Sequence, residues 1–166
     1  MAYTTATLVP EVVVLGSGRV VEGVYKGDGS TTFKKGDLVR VNTSGQIKNS
    51  GGTSASPPQG MIVDDWDTAP TTSQFVTVFM FGDDTVLKMQ VASTLTPGTE
   101  IVIGDYYTIS DGASGHWMVT DTETAGCALC VNLPGRDYPA EFANDALANG
   151  VVYVRFTRAM LDVAAA

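Results

Sequence analysis

Hydrophobic residues in this chain fall in short runs separated by glycine and polar clusters, and most runs carry the two-residue alternation of strands. Residues 75–81 form the most hydrophobic run. Phe75, Phe79 and Phe81 fall on one side of it and Val76, Val78 and Met80 on the other, so both faces are apolar. The spacing predicts a central strand covered on both sides. Gly82, Asp83 and Asp84 then supply a turn, and residues 85–91 alternate Leu87, Met89 and Val91 against Lys88 and Gln90. That pattern predicts a half-exposed strand returning alongside the first as a hairpin. Nearer the N-terminus, residues 11–15, with Val12, Val13, Val14 and Leu15, read as a strand, which Gly16, Ser17 and Gly18 break before a second at 19–25. A last strand runs over 151–158. Residues 139–148 carry the one helical pattern, with Pro139 at its start and Asn149-Gly150 as its stop.

Two stretches, 34–66 and 96–133, repeat each other in outline. Each opens on a glycine-led strand (from Gly36, and from Gly98), passes a glycine turn and a polar loop, and closes on a second glycine-led strand (from Gly60, and from Gly126). Recurrence in fixed order points to a duplicated β architecture. The loop at 49–58 is the most linker-like segment and is expected to be a solvated or contact surface. The fold expected is all-β: a small barrel or sandwich of short antiparallel strands with two diverged sub-repeats, an extended N-terminal arm and one short C-terminal helix. The divisions are an arm over 1–15, a single β domain over 16–158 and a tail over 159–166.

Composition narrows the function. A chain of 166 residues holds one domain with a real core. A net charge of -8 argues against nucleic acid, whose phosphates need clustered Lys and Arg. The charge is uneven: residues 1–48 hold six basic side chains against four acidic, a mildly basic third suited to an acidic neighbour. No run approaches 18 apolar residues and the N-terminus has no signal-peptide pattern, so neither a membrane partner nor export by that route is expected. Cys127 and Cys130 are too few for a disulfide framework.

No motif carries chemistry convincingly. Gly82-Asp83-Asp84 between strands has the look of a polymerase metal hairpin, but that chemistry needs carboxylates from separate motifs in a large fold, and the same residues make a good turn. Leu15-Gly16-Ser17-Gly18 after valines resembles a dinucleotide-binding turn, yet no helix follows to offer its N-terminus. Cys127 and Cys130 stand three apart on a strand, which places them on opposite faces and favours buried structural cysteines over a zinc or redox pair. His116, the one histidine, sits in a glycine-rich turn beside Trp117 with no nucleophile context. Asp64, Asp65 and Asp67 are interrupted by Trp66 and lack calcium-loop spacing. No catalytic residue, cofactor or metal site is expected, and the chain is not expected to be an enzyme.

The order of features resembles the capsid decoration (cement) proteins of tailed bacteriophages. The resemblance lies in a Thr/Ala-rich arm, a strand from Lys35 to Val41, then Gly45-Gln46-Ile47, a loop, the stretch from Pro58 to Val63, and Pro97-Gly98-Thr99 heading a second round. It covers roughly residues 30–133. It implies a structural virion protein, made in the host cytoplasm, that binds the outer surface of an assembled capsid as a homotrimer and clamps neighbouring major capsid subunits. Under it the arm, with Val12, Val13, Val14 and Leu15, is a candidate clamp that adds a strand to a neighbouring sheet edge, or else pairs within its own body. The alternative is a receptor- or glycan-binding module of a tail or fibre, with Trp66, Trp117 and Tyr106 as stacking platforms.

Overall fold

The computed structural model describes residues 9–53, 55–92, 101–113, 116–120, 126–132 and 151–156, and among these every regular element is a strand. The first sheet holds β2 (Arg19–Val21), β3 (Lys26–Gly27), β4 (Leu38–Val41), β5 (Gln46–Asn49), β6 (Gly60–Ile62) and β7 (Val78–Met80), in the order β2-β7-β6-β4-β5-β3. The second holds β8 (Val86–Val91), β9 (Tyr106–Tyr107), β10 (Ile109–Ala113), β11 (His116–Val119), β12 (Ala128–Asn132) and β13 (Val151–Phe156), in the order β10-β11-β8-β13-β12-β9. The N-terminal strand β1 (Glu11–Val14) bonds to β8 of this second sheet. The all-β expectation holds. The purely antiparallel arrangement and the closed barrel do not: β3 with β5 and β11 with β8 are parallel pairs, and the two mixed sheets pack in a sandwich-like manner without closing into a barrel. The predicted helix at 139–148, residues 1–8 of the arm and the tail at 159–166 lie outside the described residues.

The two sheets, each taken as one unit, share a local bonding pattern. The Gly36 amide donates to the Ile62 carbonyl and the Asp37 amide to Lys34, while the Ile62 amide donates back to Asp37. Adding 68 to each number reproduces the set: Gly104 to Cys130, Asp105 to Val102, and Cys130 to Asp105. The strand pairs obey the same shift, Val39 with Gly60 becoming Tyr107 with Ala128. Both turns need a left-handed residue, and glycine supplies it at Gly36 (φ 93) and Gly104 (φ 96). Equivalence continues outward from there. The closing strands β6 and β12 pair with β7 and β13, which pair in turn with β2 and β8. Each sheet also holds one parallel pair, β3 with β5 (Gly27 beside Ile47) and β8 with β11 (Val91 beside Val119). The positions that match differ from those paired in the sequence reading: Gly36 matches Gly104 rather than Gly98, and Gly60 matches Ala128 rather than Gly126.

Alternation along β4 shows how the units join. Val39 turns into the first unit's core, with Phe33, Ile47, Ile62, Val76 and Val78. Its neighbour Leu38 turns the other way, into the second unit's core with Leu87, Met89, Tyr107 and Val154, and Met61 and Phe81 follow it. Phe81 stacks on Phe156 at 5.6 Å and meets Phe79 edge-on at 6.0 Å, which ties the crossover to the last strand.

Residues 75–91 differ from the predicted hairpin. Alternation reports which face a side chain takes and says nothing about which strand lies alongside, and both edges of β7 are already filled by β2 and β6. The Gly82 turn instead carries the chain from the first sheet to the second. There β8 lies between β13 on one edge and β1 with β11 on the other, so it is central and covered on both faces, with Gln90 only 1% exposed. Phe75, expected inside, is 48% exposed, with the Lys26 ammonium 5.4 Å above its ring. The linker-like loop at 49–58 is in part a docked segment. Gly52, Pro57 and Pro58 are buried, the Ser50 hydroxyl donates to Ser56 O (2.8 Å), and the Ile109 amide of the second unit donates to Gly52 O (3.0 Å).

Candidate interaction surface

Asp84, Asp65 and Asp67 of the acidic motifs are held by internal bonds. The Asp84 carboxylate accepts from the Ser17 amide (2.7 Å) and hydroxyl (2.6 Å), and the Thr85 hydroxyl donates to Leu15 O (2.9 Å). The two motifs that looked like a metal hairpin and a nucleotide turn thus latch onto each other and hold the end of β1 against the crossover. Around the Lys34-Lys35 turn, Asp37 accepts from the Lys34 amide (2.6 Å), Asp65 from the Lys35 amide (2.8 Å), and Asp67 pairs with the Lys34 ammonium. Among the described residues no group of three or more His, Cys, Asp or Glu could hold a metal ion. Cys127 and Cys130 share one core, because Cys127 precedes the regular strand and escapes its alternation. Burial pushes the Cys127 thiol up to about 12, so it stays protonated and unreactive at neutral pH.

The Asp84 latch gives a pH signature. Hydrogen bonds from the Ser17 side chain and then its backbone hold this carboxyl below its ordinary 3.8. A depressed folded-state pKa contributes stability that is present above the unfolded value and lost as pH falls through the folded one. The stability advantage of wild type over Asp84→Asn is therefore expected to be present at pH 7 and to shrink toward zero as pH drops below 3.8, measured by urea unfolding at stepped pH. A pH-independent difference between the two proteins would assign the latch no charge component.

The residues singled out from sequence are not brought together. Trp117 is 2% exposed in the second unit's core, which removes it as an external platform. Trp66 is half-buried over the first unit's core, bridged to Phe33, and Tyr106 is half-buried on β9. Val12 lies opposite Leu87 and packs on the second unit's core; Val13 is half-buried at a register break, Val14 faces Val86, and Leu15 is 59% exposed. The N-terminal strand pairs within its own body.

What the sequence reading missed is the edge of β2. Among the described residues β2 hydrogen-bonds β7 and nothing on its other side; Val20 on it is 54% exposed, and Val24, in the bend beyond its end, 59%. Next to them opens a groove of about 430 Å³ lined by Arg19, Val21, Val24, Tyr25, Met80 and Phe81. An unpaired apolar strand edge is a template for another chain unless it is covered. Its one sequence signal was a β-branched run holding Gly23 (φ 68), where the strand bends away from sheet geometry. Compared with known protein families, with curated proteins and with solved structures, the chain matches none of them.

Proposed function

We propose that this protein is a structural virion component that binds the outer surface of an assembled phage capsid, as a homotrimer, and stabilises it by clamping neighbouring major capsid subunits. The observation that carries the reading is the exposed apolar edge of β2 on a body that holds Asp65, Asp67 and Asp84 of its acidic motifs in internal bonds. A β body with an adhesive edge suits binding to a repeating protein surface. A ligand that binds only the intact, expanded lattice lowers its free energy relative to ruptured states, and three contacts docking together make weak single contacts sufficient. The sequence resemblance to decoration proteins supplies the identity of that surface, and the acidic excess keeps such a layer clear of packaged genome. The receptor- or glycan-binding reading loses one of its three aromatic platforms with the burial of Trp117.

The purified chain is expected to sediment as a trimer and to co-sediment with undecorated, expanded capsids, protecting them against heat or chelator-induced rupture. Failure to bind shells together with binding to host cells or glycan arrays would replace this reading by the receptor one.

A further inference from the structure

We infer that the free edge of β2 is a strand-acceptor site, which takes an extended segment of a partner protein running antiparallel to β2, with a basic residue opposite Glu22 and an apolar residue opposite Val21. The inference rests on the proposed function only for the source of the strand, a subunit of the shell; the acceptor itself is argued from this chain alone.

The duplication supplies the argument. Val78 lies opposite Val21 in the first unit, and the equivalent Val154 lies opposite Leu87 in the second, so the opening strands β2 and β8 correspond, with Val20, Val21 and Glu22 matching Val86, Leu87 and Lys88. In the second unit the outer edge at these positions is filled by β1, antiparallel, with Glu11 opposite Lys88, Val12 opposite Leu87 and Val14 opposite Val86. In the first unit the same edge is open among the described residues. Directly opposed side chains point to the same face. Val12 accordingly packs on the second unit's core, and a residue opposite Val21 would point into the groove beside Met80 and Tyr25, which pack on the first unit's core. One half of the molecule thus shows the filled form of a site that the other half presents unfilled.

Charge selects the occupant. Where β8 offers Lys88 to Glu11, β2 offers Glu22, so the chain's own β1, or that of a second copy, would set two carboxylates face to face. The acidic side chain of Asp83 also lines the groove. A strand of the form Lys/Arg, apolar, small, apolar complements this edge, and main-chain hydrogen bonding supplies the affinity, as in other strand additions.

The test uses the full chain and two end-blocked ten-residue peptides of the same Val/Thr composition, differing only in Lys or Glu at the position that faces Glu22. Amide shifts and hydrogen exchange across Arg19–Val21 and Glu22 report binding. Expected are protection at this edge, a preference for the lysine peptide of up to about fivefold, the most that a cross-strand charge pair supplies, and reversal of that preference by Glu22→Lys. No response at β2 to either peptide at millimolar concentration overturns the proposal. So does equal binding indifferent to Glu22→Lys, or preference for the glutamate peptide, which would instead point to a second copy of this chain. Shell co-sedimentation separates the two readings. Peptide binding at β2 by a chain that ignores capsids refutes the decoration role and keeps the acceptor. A Glu22→Lys chain that binds shells like wild type while neither peptide binds does the reverse.

Discussion

Replacing Leu38 by alanine is expected to cost about 3 kcal/mol of unfolding free energy, within the roughly 2–5 kcal/mol range for a fully buried leucine. Leu38 is 0% exposed and stands on β4 of the first sheet, yet its side chain completes the core of the second. The cavity would therefore open in the unit that does not contain the mutation. Hydrogen exchange should show amides of β8 and β13 losing protection at least as much as those of β4. Val39→Ala, one residue along, empties the first unit's own core and is expected to loosen that unit first. A Leu38→Ala effect below about 1 kcal/mol, or one confined to the first sheet, would mean the units are packed independently.

Gly52→Ala is expected to be nearly as damaging, at about 2–4 kcal/mol. Part of this is the left-handed backbone, φ 72, which costs an L side chain roughly 1–2 kcal/mol. The rest is steric: an added Cβ would stand 2.1 Å from the carbonyl oxygen of Ile109, a backbone atom that cannot rotate aside, and relieving the clash strains the bond from the Ile109 amide to Gly52 O. Gly23→Ala is the control. It has a similar φ of 68 but nothing within 4 Å of an added Cβ, so it should lose only the backbone contribution. Urea unfolding midpoints for the two variants separate the effects, and equal losses would show that the loop at 49–58 does not bear on the second unit.

Strand content was readable because short apolar runs between glycines leave few alternatives, and β6, β8 and β13 fall within the runs that predicted them. A recurrence was visible as well, though the positions that match in the two sheets were not. Two glycine-led strands look alike in composition, whereas the feature both units require is a glycine of positive φ followed by an aspartate, Gly36-Asp37 and Gly104-Asp105, and that dipeptide was the better marker. Neighbour relations were beyond alternation. Nothing in residues 75–91 announces that the chain changes sheets at Gly82, and the polar Gln90 and Lys88 suggested an exposed face that the structure covers on β8. Trp117 looked like a surface platform because glycines precede it, but strand pairing with Asp111 seats it in the core. The edge of β2 was illegible for a related reason: Val20 is an ordinary strand residue until one knows that its counterpart in the other unit, Val86, is covered.

The latch between Leu15 and Thr85 joins positions 70 residues apart, and among the described residues β1 pairs with β8 alone. On a ribosome the first unit can close around Phe33 and Ile47 while the strand ahead of it still waits for a mate not yet synthesised. With Arg19 already paired to Met80, only a short loop is left to close between Leu15 and Thr85. The like charges of Glu11 and Glu22 disfavour a pairing of β1 with β2 ahead of β8. Synthesis of β8 then recruits the waiting strand, while the edge of β2 stays open among the described residues.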